Sequence, residues 1–550
     1  MGFLLIRKTL NGTTKKRLKM GKPIGIDLGT TYSAIAGWKD TGLVVGPDCY
    51  RFQMEEKNFI ASKIYIPDVN NRENVRYGRG AIQYATIEPD KFYSAFKRGM
   101  DDNKDICRPF GNIKPVELSS MLLKYMITHD VIPVEGVDFV PEGVSVSVPY
   151  YFTEPPCKNT RDALTQALDD IYSENMEYEG NLNLGTVPEP VAAGLDYAFS
   201  NLDKLTSQNI LIFDLGGGTF DVTIYELKNK SRTDSKLEFT ILATDGDDRL
   251  GGEDFDASIL TYVLEKQGIS KEMANDPKYK KCLAKLQLAI TDTKCILSYA
   301  DSDAIHVDSF FDQEYLDMPI ESKQIMSILC GEKGDKIDYI SKIDDIVERC
   351  MRKSGLQKSM IDRVVLVGGS SKIPCIRKLI EEKFGSNKIF QSPFPEETVA
   401  RGACIWAAYK IDQENKGKSD YVRHLHYWDT IIIKEKTAHN LGVKDAHNNI
   451  DTIIASNKFT PVKASRSYLP SRLNEDGTKA ELDPLNIYQG KKEIGQIPIP
   501  IIYAHGRQRK DINILITLIA ESTSVKVLID VPQGNEDGSD LHTEGQIQIA

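Results

Sequence analysis

Up to about Tyr409, short apolar runs of strand length alternate with stretches of helical spacing, and three of the runs stop on turns rich in glycine and hydroxyl residues. The first, "GIDLGTTYSAIAG" from Gly25, is an apolar strand, an Asp-Leu-Gly turn and a second strand. The second, "IFDLGGGTFDVTIYE" from Ile212, repeats that grammar, with Asp27 and Asp214 standing 187 positions apart. That period is too long for a solenoid and predicts a duplicated subdomain. The third, "RVVLVGGSSKIPCIRKLIEEKF", predicts a strand, a Gly368-Gly369-Ser370 turn and an amphipathic helix from Pro374. Strands and helices mixed in this way predict an α/β protein.

After Ile411 the pattern changes. "DQENKGKSD" has linker composition, "YVRHLHYWDTIII" follows, and beyond it short β-rich runs ("TIIASN", "LNIYQG", "INILITLIA", "SVKVLID") alternate with turn residues. The expected organisation is a basic extension over 1–21, an α/β domain over 22–410, a linker over 411–433, a small all-β domain over 434–530 and a frayed tail over 531–550. His424 and His426 would alternate on one strand face, without the further ligands that a metal site needs.

Composition narrows the partners. With 550 residues, 41% hydrophobic and 27% charged, the chain can bury several cores. A net charge of −10 excludes a general nucleic-acid binder, and no window has the length of a membrane span. Nine cysteines without a Cys-x-x-Cys pair point to reduced thiols and a cytoplasmic setting. The first twenty residues carry six Lys/Arg and no acid, but their apolar run is too short for a signal-peptide core.

A glycine turn between strands aims consecutive N–H groups at one point, a concavity suited to phosphate oxygens. Two such turns facing each other would clamp a polyphosphate. Asp27 and Asp214 would then hold Mg²⁺, through waters because magnesium dehydrates reluctantly, and Thr30, Thr31 and Thr219 would add hydroxyl contacts. The bland alternative is an Asx-type turn without a ligand. A Walker P-loop and a Rossmann glycine fingerprint are both missing from the sequence.

Taken in order, "IGIDLGTTYS", "SVPYYF", "VPEPVAAGLDY", "IFDLGGGTFDVTI", "LGGEDFD" and "VLVGGSSKIP" closely resemble the motifs of the seventy-kilodalton heat-shock chaperones, the DnaK-like proteins. The resemblance runs well from Lys22 to about Tyr409 and more weakly to Asp530. It implies an actin-like ATPase fold, two lobes of duplicated α/β subdomains around a nucleotide cleft, then a linker and a peptide-binding β-sandwich. It also implies ATP or ADP with Mg²⁺ as cofactors. By resemblance, Lys97 orients the attacking water and the γ-phosphate, Glu189 and Asp214 stand near that water and the metal, and Thr219 and Asp27 complete the polar ligands. Gly29, Thr30, Thr31, Tyr32, Gly216, Gly217, Gly218, Gly252, Glu253, Lys294, Ser298, Gly368, Gly369, Ser370, Lys372 and Glu396 fall on nucleotide-contacting positions.

The adenosine side departs from the family. Thr291 and Cys295 stand where the family has a ribose-contacting glutamate and a base-stacking arginine, Lys372 replaces an arginine, and Glu396 replaces an aspartate. Weaker or less base-selective binding is expected, because a thiol does not replace a stacked guanidinium. Asp429-Thr430-Ile431-Ile432-Ile433 matches the family's interdomain linker, which would dock on the ATPase domain in one nucleotide state; alternatively Ile431 to Ile433 begin the β-domain. Cys157 replaces an arginine near that docking surface. In the β-domain, Ala446, His447, Asn448 and Asn449 replace apolar or glycine positions of the groove, and Asp483 falls at its central pocket. The chain ends before a helical lid would form, without the family's acidic terminal motif.

Two classes of function follow. One is an ATP-dependent chaperone whose lidless β-domain binds an unfolded or specific client, with a J-domain co-chaperone and an exchange factor as partners. The other is a non-chaperone relative, an ATP-gated regulator, scaffold or exchange-factor-like protein. A sugar kinase or filament protein of actin-like fold fits the turns but not "LGGEDFD" with a β-domain.

Overall fold

In the computed structural model, β1 (Pro23–Asp27) and β2 (Tyr32–Asp40) form the first hairpin, with Ile26 opposite Ile35 and Asp27 opposite Ala34. The structure describes residues 21–548, except 42–44, 102–103, 109–110, 151, 173–181, 203–205, 230–235, 393, 419–422, 426–429, 435–436, 438, 445–448, 457, 459, 482–483 and 521–523. β3 (Val45–Cys49) continues the antiparallel run, while β4 (Gly143–Val148) and β5 (Asn183–Pro188) add parallel strands on the other side. The order is β5-β4-β1-β2-β3, with the two-residue strand Ile60–Ala61 also paired to β2. The second half repeats it. β6 (Gln208–Leu215), β7 (Phe220–Asn229) and β8 (Lys236–Asp247) run antiparallel, and β9 (Arg363–Val367) and β10 (Ile389–Gln391) join parallel, in the order β10-β9-β6-β7-β8. Central strands such as "GVSVSV" are buried along their whole length, as strands covered on both faces must be.

Helices α1 (Glu189–Ser200), α2 (Gly252–Lys266), α3 (Lys280–Ile296), α4 (Pro374–Phe384) and α5 (Thr398–Glu414) frame the sheets. α1 and α5 join the halves. A Cβ on Gly402 would lie 1.8 Å from the carbonyl oxygen of Ala192, so only glycine lets the two backbones approach this closely. Around that contact Trp38, Ala193, Val367, Ala403 and Ala408 share one core with residues of both sheets.

The segment after α5 corrects the expected boundaries. α5 runs past residue 410 to Glu414, and the buried carboxylate of Asp412 accepts from the backbone N–H groups of His424 (3.0 Å) and Leu425 (2.9 Å). His424 therefore lies in a bend rather than on a strand; its Nε2 pairs with Glu142 at 2.7 Å, while His426 and Asp429 lie outside the described residues. β11 (Thr430–Lys434) adds in parallel to β8, with Ile431 opposite Leu237 and buried. Ile431 to Ile433 thus complete the second sheet instead of opening the β-domain.

Two four-stranded antiparallel sheets follow: β12 (Leu441–Lys444), β13 (Ile450–Ile454), β14 (Val462–Tyr468), β15 (Leu485–Gln489), β16 (Lys492–Ile497), β17 (Ile514–Ala520), β18 (Ser524–Val531) and β19 (Leu541–Gln548). Their orders are β13-β12-β15-β16 and β14-β17-β18-β19, and Val443, Ile487, Ile516, Val527 and Ile529 pack in one core. The expected frayed tail over 531–550 is replaced by β19, paired with β18 from Leu541 to Gln548. Its polar residues belong to an edge strand, not to a disordered end, and Lys526–Glu544 (2.6 Å) bridges the pair. Residues 1–20, Ala446, His447, Asn448 and Asp483 lie outside the described residues. Among the described residues no helix is long and apolar enough to cross a membrane.

Candidate functional site

Three turns, carried by strands of the two sheets, come together. The β1–β2 turn brings Thr30 and Thr31, and the β6–β7 turn brings Gly216 to Thr219, closed by the Gly216 N–H on the carbonyl of Thr219 at 3.1 Å. A Cβ on Gly217 would lie 1.8 Å from Thr31 Oγ1, and one on Gly218 would lie 2.7 Å from Thr30 Oγ1. The duplicated turns therefore touch, and glycine is required on one side because the threonines occupy the space. The third turn, Gly368 to Lys372 after β9, sends the Ser370 hydroxyl to the carbonyl of Gly216 at 2.8 Å.

The start of α2 completes the concavity. The N–H groups of Gly252 and Glu253 donate to the carbonyls of Gly216 (3.1 Å) and Gly217 (2.8 Å). A Cβ on Gly252 would meet Ser370 Oγ at 2.7 Å and Lys294 Nζ at 3.0 Å. Lys294 donates to the carbonyl of Gly252 (2.7 Å) and pairs with Asp256 (2.8 Å), while Thr31 donates to Glu253 at 3.3 Å. Arg98 donates to the carbonyl of Gly218 (2.9 Å) and pairs with Asp254 (2.7 Å); its Nε is buried beside the turn without an acceptor among the described residues. A buried donor without a partner at a glycine cradle fits an anion such as phosphate.

Under the turns lies a cluster of buried charge. Lys97, in a short 3-10 turn over Phe96–Gly99, donates to Glu189 Oε1 at 2.6 Å, and Glu189 opens α1 behind Pro188. Asp27 ends β1 and accepts from Ser147 Oγ at 3.0 Å; Asp214 lies near the end of β6. Burial, then the charge of Glu189, pushes Asp27 up to about 7. Burial, then Glu189, Asp221 and Asp27, raises Asp214 well above the carboxylate range, and burial and Glu189 do the same to Asp221. Burial works against the Lys97 ammonium, but Glu189, Asp27 and Asp214 outweigh it and leave its pKa raised. One lysine thus faces three buried carboxyl groups and the partly buried Asp27, a surplus that a divalent cation would relieve. Among the described residues no group of three or more His, Cys, Asp or Glu is placed to hold a metal ion.

The remaining positions lie further out. Tyr32 opens β2 with its ring edge-on to Phe59 at 5.0 Å, and Gly29 sits in the same turn. Lys372 is ion-paired with Glu396 and lies 6.0 Å from the ring centroid of Tyr299, next to Ser298. Gly369 faces open space. Thr291 donates to Asp256 at 2.9 Å, and Cys295 is exposed. Ser147 and Asp221 lie in the motif stretches "SVPYYF" and "IFDLGGGTFDVTI", but nothing in the sequence singles out either of them or Arg98.

A sequence model of the family described as "Hsp70 protein" matches residues 83–498. Among curated proteins, the "Chaperone protein dnaK" of Trieres chinensis is 30% identical over 494 residues, covering 86% of this chain and 72% of that protein.

Proposed function

Because the chain belongs to the Hsp70 protein family, we propose that it is an ATP-dependent, chaperone-like protein that uses hydrolysis to control how its β-domain holds a client peptide or protein. In this reading residues 22–434 are an actin-like ATPase unit of two lobes, and the sandwich from Leu441 is the client-binding unit. The observation that carries it is the contact between the duplicated turns, Gly217 and Gly218 against Thr31 and Thr30, which follow Asp214 and Asp27 along the chain, and these two share one charge cluster with Lys97 and Glu189.

Phosphoryl transfer to water needs positioning and charge stabilisation more than covalent help. Backbone N–H groups of both turns other than that of Gly216, which the Thr219 carbonyl holds, bind the phosphate chain with the hydroxyls of Thr30, Thr31 and Thr219. Asp27 and Asp214 would hold Mg²⁺ through its waters, and the ion would supply positive charge to the phosphate oxygens. The Lys97 ammonium, fixed by Glu189, orients the attacking water and stabilises charge on the γ-phosphoryl group as ADP leaves. Glu189 and Asp214 accept hydrogen bonds from that water.

The test is phosphate release from ATP. Lys97→Ala should lower turnover by about 100-fold or more, the scale seen when one charge-stabilising donor is removed, with nucleotide affinity little changed. Equal turnover in the variant, or no nucleotide binding by the unaltered chain, refutes the reading. A second reading, an ATP-gated regulator or scaffold, draws on the polar replacements His447, Asn448, Asn449 and Asp483 in the groove sequence. Suppression of aggregation of a denatured protein, with and without ATP, separates the two. J-domain and exchange-factor partners and a cytoplasmic setting belong to the first reading.

A further inference from the structure

Beside the phosphate turns a cavity of about 280 Å³ opens between the end of α3 and the start of α4, lined by Ser298, Tyr299, Lys372, Pro374, Arg377 and Gln391 among others. Among the described residues Tyr299 is the one aromatic in its lining, and it is 77% exposed. A single exposed ring on a surface needs no explanation, but this ring is held at a cavity mouth. The Lys372 ammonium, tied to Glu396, lies 6.0 Å from its centroid. Arg377, also in the lining, pairs with Glu381 at 2.8 Å and donates to Gln391 at 2.7 Å.

The cavity borders the clamp through two of its lining residues, Lys372 and Ser298. Lys372 ends the turn that begins at Gly369, and Ser298, whose hydroxyl donates to the carbonyl of Lys294 at 3.3 Å, follows the lysine that holds Gly252. Its volume lies at the small end of ligand clefts, which start at roughly 300 Å³, so it admits a ring system and not a whole nucleotide. A sugar and phosphates attached to that ring would have to leave along the Ser298 and Lys372 walls, toward the glycine turns.

We propose that Tyr299 is the platform on which a purine base stacks in this cavity, a specificity-determining residue that rests on the nucleotide reading above. A π-face accepts any base, so the platform favours large rings by overlap and does not separate adenine from guanine. Affinity for the base is thereby kept while selectivity within the purines is given up.

Calorimetric titration of the full chain with Mg²⁺ and ATP, GTP or inorganic tripolyphosphate tests this. Tyr299→Ala should weaken ATP and GTP by about tenfold or more, the range for losing one base–aromatic stack, and leave tripolyphosphate within about twofold. Tyr299→Phe should keep both nucleotides. The platform is overturned if Tyr299→Ala binds ATP as the unaltered chain does, if it loses tripolyphosphate to the same extent, or if Tyr299→Phe fails like the alanine variant. An unaltered chain that binds tripolyphosphate but not ATP overturns the base site alone; one that binds neither overturns the nucleotide reading as well.

Discussion

Asp27 shows how much the site costs the protein that carries it. With its carboxyl pushed up to about 7 by burial and Glu189, the folded chain holds a proton that the unfolded chain releases near the ordinary aspartate value of 3.8. Over that interval the native state binds more protons, so this group's contribution to stability falls as pH rises from about 4 to about 7 and stays low above it. Asp214 and Asp221 are raised in the same direction. Without metal or nucleotide, the Tm of the chain should therefore fall relative to Asp27→Asn as pH rises from about 5 to 8, because the amide has no charge to bury. Magnesium competes with the proton, so stabilisation by Mg²⁺ with nucleotide should grow over the same range. Thermal unfolding across pH checks both, and a difference curve of opposite slope refutes the assignment. Asp27 and Asp214 were legible in the sequence because each sits in a local strand-turn pattern. Ser147 and Arg98 were not, since each meets its partner, Asp27 or Gly218, 120 positions away.

At the scale of elements, local pattern identified strands whose own residues are apolar and failed where a strand is defined by its neighbour. "IFDLGGGTFDVTIYE" reads as a hairpin unaided. β11 does not, because its apolar run fits a sheet edge as well as the opening of another domain; the pairing of Thr430 with Lys236 decides it. β19 was hidden in the same way by the polar residues of an edge position. Ile431 is the apolar anchor of β11, buried beside Leu237, Phe239 and Trp38. Ile431→Ala should cost about 2–4 kcal/mol of docking energy, as large-to-small changes in cores do. The expected readout is faster amide exchange along Ile431 to Lys434, with β6 protection kept. Unchanged exchange in the edge strand would mean that the strand is not held by this side chain.

Across the whole molecule, the equal strand orders of the two sheets describe halves that meet through α1 and α5, and the chain leaving α5 then touches both. His424 binds Glu142, which directly precedes β4 in the first half, and its ring lies 5.9 Å from that of Trp38 in β2. A few residues later β11 closes the edge of the second half. A rotation of one half against the other must loosen one of these attachments, so the segment reports on the relative position of the halves. Asp412 is its fixed point, a buried carboxylate serving two backbone N–H groups. Replacing it by alanine leaves both donors without that acceptor, at about 1–3 kcal/mol each where water cannot reach them. In Asp412→Ala the chain around His424 and Leu425 should be cut faster by a protease at low dose, while turnover, which the proposed function assigns to the cluster around Lys97, is kept. Asp412→Asn, whose amide oxygen can serve one of the donors, should fall between the two. Cleavage at the unaltered rate in the alanine variant would show that the segment is held by β11 alone, and the connection to the first half through His424 would then have no mechanical role.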